Sequence, residues 1–418
     1  MIPADPSPPQ AALETALRAA LGPQPGGPVG IAVSGGGDSM ALMVLMAEWA
    51  ARHAIALAAV SVNHGLRPEC GAEIAAAAAL AARLGLAHDT LHWQGARARG
   101  NLMDAARQAR RSLIAAWAQG RGVQAVALGH TLEDQADTLL MRIARGSGVD
   151  GLAGMAPARR WGGITWLRPL LTTRREALRE VLRGCGADWA EDPTNADPRF
   201  ARARTRRAMA QLGLDPARLA RSAGQMAQAR DALSQAALDA GGGILRMQAG
   251  DALLDRAGLE ALPQELRERL VAQLLCALSG QPYRPRLQAL RRALAAPTRA
   301  TLHGCLLTWQ PRTLRIAREW KAVAGLCTPV DALWDGRWRL HPPPGTPATG
   351  HSIRALGRAI DRLPVAAAPT LPQSSLMASP AVWRGTELVA APLADPGSRW
   401  RASCRQGPLD LLRGALSH

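Results

Sequence analysis

The chain is predicted to be an α/β protein built on a doubly wound parallel sheet, followed by a helical domain and a small α+β C-terminal region. Three observations carry that expectation. Short apolar runs alternate with longer helical runs from about Val29 to Trp166. The apolar runs are continuous rather than alternating, as in strands covered on both faces. A glycine-rich turn, Ser34-Gly-Gly-Gly-Asp-Ser39, joins the first such run to a helix, the usual place for a ligand site in this architecture.

Taken in order, Val29–Ser34, Ala56–Val62, Ala87–Trp93, Val123–Leu128 and Ile164–Leu167 read as strands. Ser39–Arg52, Ala72–Leu84, Leu102–Gln119, Leu132–Ala144 and Arg174–Arg183 read as helices, the last starting at a Thr173/Glu176 capping box. Beyond Gly186 the texture changes to a turn-rich loop and an arginine-dense stretch, Arg199 to Arg207. From Pro216 to about Ala296 the pattern is helical and rich in Ala and Leu, with breaks at Gly241–Gly243 and Gly280–Pro282. Cys305–Trp309 and Thr313–Ala317 are β-like, and the rest is rich in Pro and Gly. The expected divisions are therefore an N-terminal extension (1–28), a nucleotide-binding domain (29–215), a mainly helical domain (216–320) and a small C-terminal region (321–418).

Composition narrows the function. The 418 residues carry a formal charge of +17, nearly all of the cations are arginine, and Lys321 is the only lysine. Such a chain attracts polyanions, nucleic acid first among them. No run reaches the about 18 apolar residues of a membrane span, and MIPADPSPPQ lacks the basic and apolar regions of a signal peptide. Six well-separated cysteines without a C-x-x-C argue against a disulfide framework, a zinc ribbon or a cysteine-held cluster. A soluble, cytoplasmic protein is expected.

The glycine-rich turn is suited to an anion. Consecutive glycines let the backbone approach a ligand and aim several N–H groups into one concavity, and the helix behind contributes its positive end. A Walker loop is excluded because no lysine follows, and Met40 stands where the dinucleotide fingerprint needs its third glycine. Asp38 inside a phosphate loop makes sense only with a metal, since a bare carboxylate repels phosphate; magnesium bridging to phosphate oxygens is the candidate. A second turn, Gly129-His130, leads to Asp134 and Asp137, which share a face with His130 if the helix begins there. Two carboxylates facing one way can bind an amine. Arg107 and Arg110, at i and i+3, are candidates to neutralise phosphate charge.

With these residues in view, the chain resembles the tRNA(Ile)-lysidine synthase family of PP-loop ATP pyrophosphatases. The resemblance runs through Ser34–Ser39, Val62-Asn-His-Gly-Leu-Arg67, Arg107 with Arg110, Gly129-His130 with Asp134 and Asp137, Arg145–Leu152, Arg168-Pro-Leu-Leu171 and Trp189–Asn195. It extends more weakly to Tyr283–Arg286, Thr301–Cys305 and Ile316–Glu319. It implies that free L-lysine is joined, with ATP and Mg2+, to the wobble cytidine of an isoleucine tRNA with a CAU anticodon. Lysidine results, and codon reading changes from AUG to AUA.

By the same resemblance, Ser34, Gly35, Gly36, Gly37, Asp38 and Ser39 hold ATP, and Asp38 also holds the metal. Arg110 and His130 assist adenylation together with Asp38, and Asp134 and Asp137 hold lysine. Arg199, Arg202, Arg204, Arg206 and Arg207 hold the RNA. Asp137 stands where the family more often has Glu, and Glu133 where Asp is frequent. Two other readings share the loop: a tRNA thiolase, and a non-catalytic RNA-binding relative.

Overall fold

The computed structural model describes residues 8–23, 25–65, 70–93, 102–191, 199–281, 283–347, 349–363, 371–395 and 397–404. Leu66-Arg67 and the Asp192-Pro193-Thr194-Asn195 part of the sequence motifs lie outside them. The chain separates into two compact units, Met1–Arg230 and Asp231–His418.

The first unit runs α1 (Pro8–Leu21), β1 (Val29–Ala32), α2 (Gly37–His53), β2 (Leu57–Asn63), α3 (Cys70–Arg83), β3 (Ala87–His92), α4 (Leu102–Gly120) and β4 (Ala125–Leu128). It continues through α5 (Leu132–Ile143), α6 (Val149–Leu152), β5 (Ala158–Trp161), β6 (Ile164–Leu167), α7 (Arg175–Gly184) and α8 (Ala201–Gln211), and α9 (Pro216–Ile244) carries the chain onward. The sheet order is β3-β2-β1-β4-β6-β5. All neighbours are parallel except the edge pair β5–β6. The order reverses between β1 and β4, so the turns that follow these two strands emerge side by side on one rim.

Both faces of the sheet are covered. Leu42, Leu45, Met46, Leu178 and Leu182 join Val29 and Ile31 in one core, whereas Ile114, Ala115 and Ala118 of α4 pack on Val60, Val126 and Trp166. Burial on both sides explains why the strand sequences are continuous apolar runs.

Within the expected N-terminal extension, Leu13 and Leu17 of α1 are fully buried in the first core. One expectation needs correction here. Thr173 does not cap α7. The N-cap is Arg174, without a side-chain bond, and Glu176 pairs instead with Arg183 at 2.9 Å. Thr173 is held in a preceding turn, its N–H donating to Leu170 O and its carbonyl accepting from Leu132 N–H, so the helix starts one residue later.

The second unit is α+β, with its longer helices between residues 231 and 294 and most of its strands after them. It contains β7 (Leu245–Gln248), β8 (Asp251–Asp255), α10 (Arg256–Ala261), α11 (Gln264–Ser279), α12 (Leu287–Leu294), β9 (Arg299–Leu302), β10 (Cys305–Trp309) and β11 (Thr313–Arg318). There follow α13 (Trp320–Val323), β12 (Thr328–Pro329), β13 (Trp338–His341), β14 (Ser352–Ala355), α14 (Gln373–Met377), β15 (Pro380–Arg384), β16 (Glu387–Ala390) and β17 (Arg401–Cys404). An antiparallel sheet β7-β8-β11-β10-β9 packs its apolar face on Leu270, Leu274 and Leu278 of α11. Gly241–Gly243 do not break α9, which runs through them to Ile244, whereas Gly280 ends α11 in a left-handed turn.

A buried ionic network ties the later segments to that sheet. Arg315 on β11 donates to Asp251 Oδ2 at 2.7 Å and to Gln248 Oε1 at 2.6 Å, and Ser375 Oγ donates to the same Asp251 oxygen at 2.6 Å. Arg318 makes a forked pair with Asp335, both bonds 2.9 Å, and Arg337 donates to Asp335 and to Gly250 O.

Candidate active site

The glycine-rich turn between β1 and α2 is fixed from several sides. Gly35 has φ +82, and a Cβ there would lie 2.6 Å from the Glu73 carbonyl oxygen. Only glycine fits both constraints. Ala190 N–H donates to Gly35 O at 3.1 Å, so the stretch after Trp189 braces the turn. Ser39 is buried; its hydroxyl donates to Gly36 O at 2.9 Å and accepts from Ser34 N–H at 3.0 Å. Ser39 therefore shapes the turn, while Ser34 is exposed. Gly36 has ordinary extended angles, φ −76 and ψ 152, and a Cβ there would meet nothing nearer than Ser34 Oγ at 3.6 Å. The fold does not demand glycine at 36, so its missing side chain leaves open surface for a ligand.

The second turn abuts the first. A Cβ on Gly129 would stand 2.9 Å from Asp38 O. α5 begins at Leu132 with Thr131 as N-cap, and Thr131 and Asp134 form a reciprocal capping box. His130 thus lies ahead of the helix, not on one helical face with the acids as expected. Asp134 and Asp137 do share a face, and both are buried.

Two arginines join these groups. Arg175, at the start of α7, donates from Nε to Asp38 Oδ1 and Oδ2 at 3.1 and 3.0 Å, and its Nη2 lies 3.5 Å from Asp134 Oδ1. Its backbone N–H donates to Glu133 Oε2 at 3.0 Å. Arg206 on α8 donates from Nε to Asp137 Oδ2 at 2.8 Å and reaches Asp134 Oδ1 at 3.4 Å. Sequence grouped Arg206 with the RNA-facing arginines; its guanidinium faces these acids instead. Asp137 Oδ1 is buried and has no hydrogen-bond partner.

Charge is divided across the site. Burial pushes the Asp38 carboxyl up, Asp134 and Glu133 push the same way, and Arg175 opposes them. Burial likewise raises Asp137 against the pull of Arg206. For Asp134 burial is the largest influence, but it is outweighed by the Thr131 N–H, Arg175, His130 and Arg202, which together hold its carboxyl below the usual range. His130 is pushed down to about 4, chiefly by desolvation and then by Arg168, with Arg202 and Arg110 adding to it. It is therefore neutral at pH 7 and is ringed by arginines suited to phosphate oxygens. Arg110 presents an exposed side chain on α4, with Arg107, Arg111 and Arg202 close enough to repel it. Arg199, Arg204 and Arg207 are exposed, and Arg202 is half-buried.

Among the described residues no three His, Cys, Asp or Glu side chains are grouped to hold a metal. One hard carboxylate among crowded acids suits magnesium that arrives with phosphate ligands rather than an ion caged by protein alone. Sequence reasoning missed Arg175 altogether. Gly129, whose lack of a side chain marks the close approach of the two turns, gives no sign of it.

The fold, the phosphate-type loop and the paired turns define an ATP-using enzyme of the PP-loop class, and the family model for the PP-loop domain matches residues 9–212. That match takes in most of α1, in keeping with its buried leucines. The tRNA(Ile)-lysidine synthase of Ruegeria pomeroyi is 45% identical over 409 residues, 96% of this chain and 97% of that protein. The synthase of Methylobacterium sp. strain 4-46 is 45% identical over 314 residues, 71% of this chain and 90% of that protein. The chain belongs to the tRNA(Ile)-lysidine synthase family. Among the described residues no helix is long and apolar enough to cross a membrane.

Proposed function

We propose that the protein joins free L-lysine to C2 of the wobble cytidine in an isoleucine tRNA with a CAU anticodon. ATP is the activating substrate, AMP and pyrophosphate are released, and the lysidine formed redirects reading from AUG to AUA. The observation that carries this reading is the double bridge by Arg175 and Arg206. It brings a phosphate-type loop and a pair of carboxylates suited to an amine next to one another.

The open backbone at Gly36 and the exposed Ser34 hydroxyl receive phosphate oxygens, and the start of α2 contributes its dipole. Magnesium would be held by Asp38 and would neutralise charge on the phosphates. Arg110, with Arg168 and Arg202 nearby, balances charge at the α-phosphate as cytidine O2 attacks and pyrophosphate leaves. Neutral His130 serves there as a hydrogen-bonding group rather than as another cation. The lysine side-chain amine then displaces AMP at C2, drawn in by Asp134 and by the unpartnered Asp137 Oδ1. Arg199, Arg202, Arg204 and Arg207 hold the RNA backbone, and Arg206 keeps Asp137 in place. The reaction belongs in the cytoplasm, where the three substrates meet.

The test is mass spectrometry of isoleucine tRNA incubated with the full chain, ATP and isotope-labelled lysine. The expected product carries one labelled lysine less one water on the anticodon cytidine. AMP release without tRNA mass gain, or no gain at all, would sink the proposal.

A further inference from the structure

Arg175 serves no step assigned above, yet it touches both halves of the site. Its Nε is shared between the two oxygens of Asp38, at 3.1 and 3.0 Å, which are the atoms a metal would use. Its Nη2 rests at the long distances of 3.4 Å from Thr131 Oγ1 and 3.5 Å from Asp134 Oδ1. The backbone is pinned by Glu133 and by α7, whose Leu178 and Leu182 are wholly buried. The guanidinium can therefore leave Asp38 and close on Asp134 by side-chain motion alone, and an arginine fork is long and planar enough to serve both acids.

We propose that Arg175 is a positioning residue that acts as a built-in counter-cation. It occupies Asp38 while the phosphate loop is empty, so that Asp38 yields to a divalent ion only when the ion comes with a triphosphate. A metal alone must displace Arg175 for one carboxylate. A metal–triphosphate complex brings the contacts of the glycine loop as well, and these offset the displaced pair. On release, Arg175 shifts toward Asp134 and aligns that carboxylate for the amine, which links nucleotide loading to the second half-reaction. This rests on the assignment of Asp38 to the metal made above.

The test uses Mn2+ as probe, with the full chain and no nucleotide, measured by titration calorimetry or by the loss of the free-ion electron paramagnetic resonance signal. R175Q should bind Mn2+ alone about 10-fold or more tighter than the parent, the effect of removing one competing charge-assisted contact. The gain in Mn2+ affinity on adding ATP should shrink to match. Unchanged or weaker Mn2+ binding by R175Q would overturn the inference. If R175Q fails to fold, R175M, which keeps most of the apolar stem but carries no charge, answers in its place. Mn2+ alone must again bind more tightly than to the parent, and no gain overturns the idea. D38N separates the two levels. Loss of Mn2+ binding in the presence of ATP leaves the metal assignment standing whatever Arg175 does. Retained binding sinks the assignment and the counter-cation together.

Discussion

Substituting Asp137→Asn tests whether this carboxylate is kept for chemistry or for the fold. The side chain is fully buried, its Oδ2 accepts from Arg206 at 2.8 Å, and its Oδ1 has no partner. In an asparagine the amide oxygen will turn to Arg206, because the NH2 cannot accept a bond. That places a donor where Oδ1 stood, facing the incoming ammonium. The loss of one charge-assisted hydrogen bond is worth about 1.5–3 kcal/mol, so at 1.36 kcal/mol per decade the lysine KM should rise about 10- to 150-fold, toward the upper end. The KM for ATP should barely move.

Stability should respond differently. Removing one partner of a buried pair usually costs several kcal/mol because a charge is stranded. Arg206 is about a quarter exposed and also lies 3.4 Å from Asp134, so it is not stranded, and the change should stay within about 1 kcal/mol. Burial raises the Asp137 pKa above 3.8, so the folded state binds the proton more tightly than the unfolded one. The parent therefore loses stability from this group as pH rises from about 3.8 through the raised folded value, and is level above it. The variant lacks that loss, so its relative stability should climb across the same window. Urea unfolding between pH 4 and 7.5, alongside lysine-dependent AMP release, measures both. A variant several kcal/mol less stable with an unchanged lysine KM would refute the reasoning and make Asp137 a structural ion-pair partner.

Two further outcomes follow from the loop and from α8. Gly35→Ala should destabilise the first unit, since a left-handed alanine costs about 1–2 kcal/mol before the contact 2.6 Å from Glu73 O is counted. Gly36→Ala should melt normally but lose ATP affinity, and normal ATP binding by Gly36→Ala in calorimetry would show that the phosphates lie elsewhere. Neutralising Arg202 and Arg204 should lower the slope of log K against log salt for tRNA binding by about 0.7–0.9 per lost contact, whereas Arg206→Gln, its guanidinium turned to Asp137, should leave the slope unchanged. Equal slopes for all three would move the RNA path off α8.

The parallel sheet was legible because strands covered on both faces read as unbroken apolar runs. Val29–Ala32 and Ala125–Leu128 were found this way, with edges off by a residue or two. Less visible were elements whose burial depends on partners far along the chain. α1 follows a proline-rich start that resembles a tail, and its buried side is short: Pro9, Gln10, Leu13 and Leu17. β5 is an edge strand that carries two arginines, Arg159 half-buried and Arg160 exposed, so it shows no strand signature.

The capping boxes show how little local spacing decides. Thr131–Asp134 and Thr173–Glu176 have the same offset, but the second threonine is held in a turn that delays its helix. For the site, the loop, His130 and the acid pair could be read from motifs. Arg175 could not, because its partner Asp38 lies 137 residues away and nothing in either segment announces the other.

The polar lattice around Asp251 and Asp335 has a bearing on how this polypeptide can be dissected. A fragment stopped at residue 320 would keep Arg315 and Arg318 but discard Ser375 and Asp335, leaving Arg318 without its carboxylate and Asp251 short of a donor in a dry interior. Trp338 would vanish as well, although a side chain at Gly250 would sit only 2.4 Å from its ring. What looks from composition like a proline-rich tail is a closing wall, and expression trials of this half should not cut the chain at 320.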